Sequence, residues 1–281
     1  MISFENVTMQ YGKNVAIPNL NLVLEDKKIY CLLGRNGAGK TTFMNLIAGK
    51  RTATSGEVAI NGGKVDSIRM PDNVTYIEAA KRQFNMKIAN LLELANGLNE
   101  DFDMEFALHM VEKFHLDNNK KYNSLSFGMK TMVTTLISLA SNKEILLLDE
   151  PVLGFDAIMR TKFYNLLQES YERRPRIILV STHLIDEIGK VAEQIIMIEK
   201  GQIILNDDIN NVIEHAYKLS GPSEQVKEMT EGLNVVASEE IGKYTNCYIF
   251  GERTEARGEV EISNVSLQDL FVKMVGGSDN E

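Results

Sequence analysis

A glycine-rich segment of the sequence, GRNGAGKT at residues 34–41, has the composition of a phosphate-binding loop. It fits the spacing G-x-x-x-x-G-K-[ST] and lies between a short apolar run and a segment with helical spacing. Its glycines allow the backbone to approach a phosphate chain closely and to point N–H groups at the anionic oxygens. The positive end of the following helix dipole faces the same oxygens. The pattern therefore predicts a nucleotide-binding site.

Two side chains at the end of this loop have chemical roles in the prediction. The Lys40 ammonium reaches the β- and γ-phosphates, and the Thr41 hydroxyl ligates Mg²⁺. A glycine-rich turn that binds nothing is the alternative, and the position between a strand and a helix disfavours it. The residues assigned to phosphate binding are Gly34, Arg35, Asn36, Gly37, Ala38, Gly39, Lys40, Thr41 and Thr42.

Two adjacent carboxylates end a second apolar run, EILLLDE at residues 144–150. Asp149 is placed to hold Mg²⁺, and Glu150 is placed to polarise an attacking water as a general base. The alternative is an acidic turn at the surface after a strand. A phosphate-binding loop in the same chain favours the catalytic interpretation.

Two further features are ambiguous by themselves. In LSFGM at residues 125–129, the Ser126 hydroxyl and the Gly128 amide can bind an anion at a helix N-terminus. Ser126 can equally be an ordinary helix cap. His183 closes a strand in the segment STH, where a lone histidine is more often structural than functional. From the residues alone, both alternatives stay open.

The elements that must position these groups alternate between strand and helix. Apolar runs at residues 27–34, 144–150 and 175–183 predict strands, with helical segments between them. Such alternation indicates a parallel sheet with helices on both faces, an α/β fold. Helix formers dominate residues 79–142 and interrupt the alternation, which predicts an inserted helical subdomain. Short strands and a late helix after about residue 210 predict a small α+β appendage.

The composition limits the classes of function. The 281 residues exceed the roughly 100–200 residues of one domain, so about two units are expected. A net charge of −9 and a pI near 5.2 disfavour nucleic acid as the main partner. The one basic cluster, Arg173, Arg174 and Arg176 around Pro175, predicts a solvated turn.

The cysteines and the apolar runs indicate in which compartment the protein lies. Cys31 and Cys247 are too few and too far apart for a disulfide framework or a metal site, which fits a reducing compartment. The first residues lack the pattern of a signal peptide. The longest apolar runs are far shorter than the roughly 20 residues that span a bilayer. We therefore expect a chain that does not cross a membrane but can lie against one through a partner.

Five segments occur in the order and at about the spacing of the nucleotide-binding subunits of ABC transporters: GRNGAGKTT, LSFGM, ILLLDEP, GFDA and STH. The chain resembles this family over roughly residues 1 to 210. The resemblance implies a RecA-like P-loop NTPase fold, with ATP and Mg²⁺ as its ligands. The implied division is an ATP-binding core at 1–78 and 143–210, a helical subdomain at 79–142 and an accessory domain at 211–281.

The resemblance also implies roles for single residues. Tyr11 matches the aromatic residue that stacks on adenine, and His183 matches the histidine that holds the γ-phosphate and the water. Ser126 and Gly128 match residues that contact the γ-phosphate bound to a partner subunit. Asp156 matches a residue in the loop that crosses the dimer interface. Because such sites close only in a head-to-tail dimer, one chain alone is expected to be a weak ATPase.

The sequence departs from the family pattern in three places. Phe127 and Met129 replace a glycine and the glutamine of the usual signature LSGGQ, and GFDA stands where SALD or GLD is usual. A glutamine that contacts Mg²⁺ and water normally follows the strand before the helical insert. Here Glu78 is at or near that place and is favoured as the third metal ligand, and Gln83 is the alternative.

As a whole, the resemblance implies the ATP-hydrolysing subunit of a bacterial ABC transporter, peripheral to the cytoplasmic face of the cell membrane. Its expected partners are an integral membrane subunit and a second ATP-binding subunit, identical or related, and not nucleic acid. The C-terminal segments YKLSGP and SLQDLFVKMVGG resemble, more loosely, those of small exporters encoded with GntR-type regulators, which implies export of peptides or lipid-like compounds.

Two other classes of function remain as alternatives. A soluble ABC-type ATPase of nucleic acid or the ribosome is disfavoured by the acidic charge and by the lack of a coiled-coil insertion or second cassette. A P-loop nucleotide kinase would leave LSFGM and His183 without a role.

Overall fold

The computed structural model describes residues 1–78 and 83–276, so the predicted start of the helical subdomain at residue 79 lies outside the described residues. In chain order its strands are β1 (Ile2–Tyr11), β2 (Asn14–Leu24), β3 (Ile29–Leu33), β4 (Ser55–Ile60), β5 (Gly63–Val65), β6 (Val74–Glu78), β7 (Ile145–Asp149), β8 (Ile177–Ser181), β9 (Gln194–Glu199), β10 (Gln202–Asp208), β11 (Ala216–Pro222), β12 (Val235–Ile241), β13 (Tyr244–Phe250) and β14 (Glu261–Asn264). Its α-helices are α1 (Lys40–Ile47), α2 (Ile88–Leu98), α3 (Met104–Lys113), α4 (Phe127–Ala140), α5 (Ala157–Arg173), α6 (Ile185–Ile188), α7 (Ile209–His215), α8 (Ser223–Met229) and α9 (Leu267–Gly276).

The central sheet carries the strands that the apolar runs predict. Its order is β10-β9-β3-β8-β7-β6, and every neighbouring pair is parallel except the β9–β10 hairpin. All residues of β3, β7 and β8 are buried. Parallel strands that are covered on both faces read as continuous apolar runs, which is why the sequence shows them so clearly. The predicted α/β class is confirmed.

The two faces of this sheet are covered by different layers. Helix α1 and an antiparallel sheet of order β2-β1-β4-β5 cover one face, where the rings of Phe4 and Phe43 stack at 4.7 Å. Helices including α4 and α5 cover the other face. Successive residues of a strand point to opposite faces, so Leu147 belongs to the first layer and Leu148 to the second.

Helices α2, α3 and α4 stand between β6 and β7 in the chain, within the segment predicted to be helical. The residues that follow α7 form a third, antiparallel sheet of order β12-β13-β11-β14. Helix α8 packs on one face of that sheet through Val226. Helix α9 reaches back to the main core, where Leu270 is fully buried. The domain boundaries given above stay a prediction.

The basic cluster differs from its prediction in one residue. Arg173 and Arg174 are exposed, as expected of a solvated turn, but Arg176 is buried. Its guanidinium donates to the Leu139 carbonyl at 2.9 Å and to the Ser170 hydroxyl at 2.6 Å. Burial, with a smaller effect of the Arg174 charge, lowers the pKa of Arg176 to about 10. Local charge density at a proline turn could not reveal that one member of the cluster faces the core.

Both cysteines are buried and free, which agrees with the expectation of no disulfide between them. No helix within residues 1–78 or 83–276 is long and apolar enough to cross a membrane.

Candidate active site

The functional side chains meet because the parallel strands end at one edge of the sheet. In the strand register Glu78 is opposite Asp149, and Asp149 is opposite Ser181. Strand β3 lies on the other side of β8 and continues into the glycine-rich loop. Ligands of open α/β sheets bind outside the carboxyl ends of such strands.

The loop needs glycine at defined positions for physical reasons. A Cβ on Gly34 would lie 2.5 Å from the Ile198 carbonyl oxygen, so no side chain fits there without movement of the backbone. Gly39 has a φ of 111°, a left-handed conformation that side-chain-bearing residues rarely adopt, and it directly precedes α1. The loop is therefore packed tightly against β9 and turns sharply into the helix.

The Lys40 side chain folds over this loop. Its ammonium donates to the carbonyls of Gly34 at 2.6 Å and Arg35 at 3.2 Å. Burial lowers the pKa of Lys40, and the negative charges of Glu150 and Asp149 oppose that shift. The ammonium is thus positioned where it can exchange loop carbonyls for phosphate oxygens.

Asp149 accepts hydrogen bonds from three hydroxyl groups. They belong to Thr41 at 2.8 Å, Ser181 at 2.5 Å and Tyr76 at 3.3 Å. The Tyr76 oxygen also lies 2.9 Å from a carboxylate oxygen of Glu78. Because a phenol has one proton, Tyr76 cannot donate fully to both carboxylates. Burial and the charges of Asp149 and Glu78 raise the pKa of Tyr76.

The donor set around Asp149 fits Mg²⁺. Thr41, Asp149 and Glu78 offer only oxygen atoms, the ligands that this hard cation prefers. Two carboxylates that share the proton of one phenol also leave excess negative charge, which a divalent cation offsets. The structure thus brings the three predicted metal ligands close to one another. Their role as ligands stays a prediction.

Glu150 and His183 form a separate pair beside this cluster. The His183 Nδ1 atom lies 3.0 Å from a carboxylate oxygen of Glu150. The backbone of Glu150 has a φ of 50°, and its N–H donates to the Ser181 carbonyl at 3.1 Å. A left-handed glutamate costs roughly 1–3 kcal/mol, and such strain is common where a side chain must be aimed at a site.

A cavity of about 540 Å³ lies over the loop. Most of the predicted phosphate-binding residues line it, with Tyr11, Asp149 and Glu150. Lys200 also lines it and was not singled out from the sequence, although its place directly after β9 puts it at the carboxyl edge of the sheet. The predicted site residues that are not among the described residues lining this cavity are Gly34, Ala38, Glu78, Ser126, Gly128 and His183.

Ser126 and its neighbours stand at the start of α4. The Ser126 hydroxyl accepts from the Met129 N–H at 3.3 Å, so the helix-cap interpretation describes what the side chain does within this chain. Ser126 and Phe127 are both exposed. Gly128 is buried against the GFDA loop, where a Cβ on Gly128 would lie 2.6 Å from the Gly154 carbonyl oxygen. The predicted contact of Ser126 and Gly128 with a nucleotide is not tested by this geometry.

Phe127, which departs from the family pattern, packs against Gly154 in the GFDA loop. Gly154 has a φ of 84°, and a Cβ there would lie 2.7 Å from the Phe127 ring. The Phe127 ring therefore occupies the space that a side chain at residue 154 would need, and the positive φ at this position independently favours glycine. Asp156 at the end of that loop caps α5 by accepting from the Met159 N–H at 2.8 Å.

Known proteins are similar to this chain in sequence and in fold. The family model described as ABC transporter matches residues 17–153. The taurine import ATP-binding protein TauB of Escherichia coli is 30% identical over 206 residues, which are 72% of this chain and 80% of TauB. The chain belongs to the ATP-binding subunits of ABC transporters. It is an ATPase, and ATP is its nucleotide.

Two further proteins, a relative and a solved structure, match different lengths of this ABC subunit. The bacitracin transport ATP-binding protein BcrA of Enterococcus faecalis is 28% identical and covers 99% of this chain and 97% of BcrA. A solved dimeric ATP-binding cassette with bound ADP and phosphate superposes with a TM-score of 0.64 at 24% identity. That alignment covers 74% of this chain and 99% of the cassette and supports the P-loop NTPase fold.

Tyr76 is a residue of the ABC site that the sequence analysis missed. We expect Tyr76→Phe to lower the turnover of ATP about tenfold, because the loss of a group that orients metal ligands typically costs 10–100-fold. Turnover is measured as phosphate release, and ATP affinity is measured by calorimetry. The matched control is Tyr30→Phe, which removes a hydroxyl donated to the Asp26 carbonyl. Equal turnover in the two variants would exclude a role for Tyr76.

Glu78 and Gln83 can be separated as candidates for the residue that contacts Mg²⁺. Glu78 is half-buried and hydrogen-bonded to Tyr76, whereas Gln83 is exposed. We expect Glu78→Ala to raise the Mg²⁺ concentration needed for half-maximal hydrolysis at least tenfold, by loss of a carboxylate ligand. Gln83→Ala should leave this concentration unchanged. The reverse result would assign the role to Gln83.

Proposed function

We propose that this chain is an ATP-hydrolysing subunit that dimerises head to tail around ATP and drives a separate membrane-spanning subunit. One observation carries the proposal. Lys40, Asp149 and Glu150 line one cavity, but Ser126 is absent from the described residues that line it. Ser126 is exposed, so its hydroxyl is open to the nucleotide held by a second copy, and a head-to-tail pair would make this contact twice.

In this proposal each group has a defined task. The backbone of residues 34–42 and the Lys40 ammonium hold the phosphates, and the Tyr11 ring stacks on adenine. Glu150 accepts the proton of the attacking water, and His183, bonded to Glu150, orients the γ-phosphate and that water. Thr41, Asp149 and Glu78 hold Mg²⁺, which neutralises charge on the phosphate oxygens when it is bound.

Exposed apolar side chains support the pairing of two copies. Phe127, Leu153 and Ile158 are 48%, 45% and 71% exposed. They flank Ser126 and Asp156, the two residues that the proposal places in the interface. A second copy would remove these side chains from water, a favourable change for apolar surface.

A second group of exposed apolar residues supports a membrane partner. Leu94 and Leu98 in α2 and Leu108 in α3 are 45%, 78% and 46% exposed. We propose that this helical subdomain, residues 79–142, receives a cytoplasmic segment of the transmembrane subunit. The core at 1–78 and 143–210 then supplies ATP hydrolysis, and the chain is peripheral to the cytoplasmic face of the cell membrane.

We further propose that the cargo is exported and is a peptide or a lipid-like compound. The support is the match to BcrA, a protein named for transport of bacitracin, a peptide. That match includes the C-terminal accessory region 211–281, whereas the match to TauB leaves more than a quarter of the chain uncovered.

The role of Glu150 and the dimer are tested together by Glu150→Gln. The amide cannot accept the proton of water, so turnover should fall by at least 100-fold, within the usual range of 10²–10⁴ for general-base catalysis. ATP binding should persist, and light scattering should show a stable dimer with ATP. Lys40→Ala is the control and should weaken ATP binding itself in calorimetry. Hydrolysis within a few-fold of wild type would contradict the assigned role.

The membrane partner is tested by purification of the tagged chain from detergent-solubilised bacterial membranes. We expect an integral membrane protein to elute with the chain in stoichiometric amount and to stimulate ATP hydrolysis. Recovery of the chain with nucleic acid, in an association lost as salt is raised, would instead support the alternative of a soluble ABC-type ATPase.

A further inference from the structure

Arg160 in α5 joins two segments that are apart in the sequence. Its Nε atom lies 3.0 Å from each carboxylate oxygen of Glu187, and its Nη1 atom donates to the Phe155 carbonyl at 3.2 Å. The Arg160 and Glu187 side chains are only 26% and 33% exposed. One guanidinium therefore holds both a carboxylate and a backbone carbonyl in a partly buried setting.

The Glu187 end of this bridge leads to the catalytic histidine of the proposed mechanism. Glu187 lies in α6, which begins two residues after His183. Ile185 and Ile188 anchor α6 in the core. His183 in turn contacts Glu150 at 3.0 Å. Glu187 and His183 are therefore joined by a short segment that is anchored in the core.

The Phe155 end leads to the surface proposed to face a second copy. Gly154, directly before Phe155, packs against Phe127 and Gly128 at the start of α4. Asp156, directly after Phe155, caps α5. The Phe155 carbonyl thus belongs to the loop whose neighbours are expected to meet the partner copy.

We propose that Arg160 is a positioning residue that couples this dimer-facing loop to His183. Docking of a second copy on the GFDA loop then sets the orientation of His183 in the first, and hydrolysis in the two sites becomes cooperative. This inference rests on the proposed function, because it requires the head-to-tail pair. The planar fork of arginine reaches the carboxylate and the carbonyl together, which the single ammonium of lysine does not.

The test compares Arg160→Gln, Glu187→Gln and the double variant in the full chain. Each single variant should lower kcat about tenfold and bring the Hill coefficient for ATP towards 1. A tenfold change is typical of residues that couple two sites. ATP affinity at the loop should stay the same in calorimetry. The double variant should be no worse than the poorer single variant, because both remove one bridge.

Arg173→Gln is the matched control. Arg173 is in the same helix and pairs with Asp103 at 3.1 Å, far from the bridge in the sequence. Its removal should leave kcat and the Hill coefficient at the wild-type values. If Arg160→Gln gives the same kcat as Arg173→Gln, the inference is wrong.

Arg160→Lys separates positioning from stability. Lysine keeps the charge beside Glu187 but loses the fork, so thermal stability should stay at the wild-type value while kcat is as low as in Arg160→Gln. Full recovery of kcat with lysine would show that the Phe155 contact is not used, and would overturn the inference.

The proposed dimer is tested separately, by measuring the mass of Glu150→Gln variants in the presence of ATP. Glu150→Gln, alone and with Arg160→Gln, is mixed with ATP and its mass is measured by light scattering. Both should dimerise. Failure of Glu150→Gln alone to dimerise contradicts the proposed function. A Glu150→Gln dimer together with wild-type kinetics in Arg160→Gln contradicts only the role of Arg160.

Discussion

The whole site depends on the three hydroxyl groups that converge on Asp149. This carboxylate is buried, and burial of a charge is costly unless hydrogen bonds compensate for it. Its donors come from α1, from β8 and from β6, three segments that are distant in the chain. The hydrogen bonds therefore fix the start of α1 and the ends of strands β6, β7 and β8 relative to one another. A metal or phosphate group that reaches Asp149 meets a surface that is already organised.

The side chain of the next residue, Glu150, has a different partner, an imidazole in place of three hydroxyl groups. Its backbone N–H donates to Ser181, and a carboxylate oxygen of its side chain lies 3.0 Å from His183 Nδ1. Two adjacent carboxylates thus have different surroundings. Asp149 is surrounded by donors and suited to bear charge beside a cation, whereas Glu150 is aimed at an exposed imidazole and suited to exchange a proton with water. The backbone of Glu150 is left-handed, a strained conformation that is common at functional sites.

The start of α4, the GFDA loop and α6 are also connected, by side-chain packing and by an ion pair. The Phe127 ring packs against Gly154, and the carbonyl of the next residue, Phe155, accepts from Arg160, which also binds Glu187. These contacts connect the start of α4, the GFDA loop and the helix after His183. The Phe127 ring thus occupies space that is open because residue 154 has no side chain.

The sequence by itself determined what depends on neighbours in the chain. Glycine spacing identified the loop with Lys40, apolar runs identified the buried parallel strands, and the adjacent acids after one run identified Asp149 and Glu150. The tertiary structure decided what depends on which strands lie side by side. Tyr76 and Ser181 reach Asp149 only because β6, β7 and β8 are neighbours in a common register, and Arg176 is buried only because its turn faces the helical layer. Hydrophobic periodicity records that a strand is buried, but it does not record which strand lies next to it.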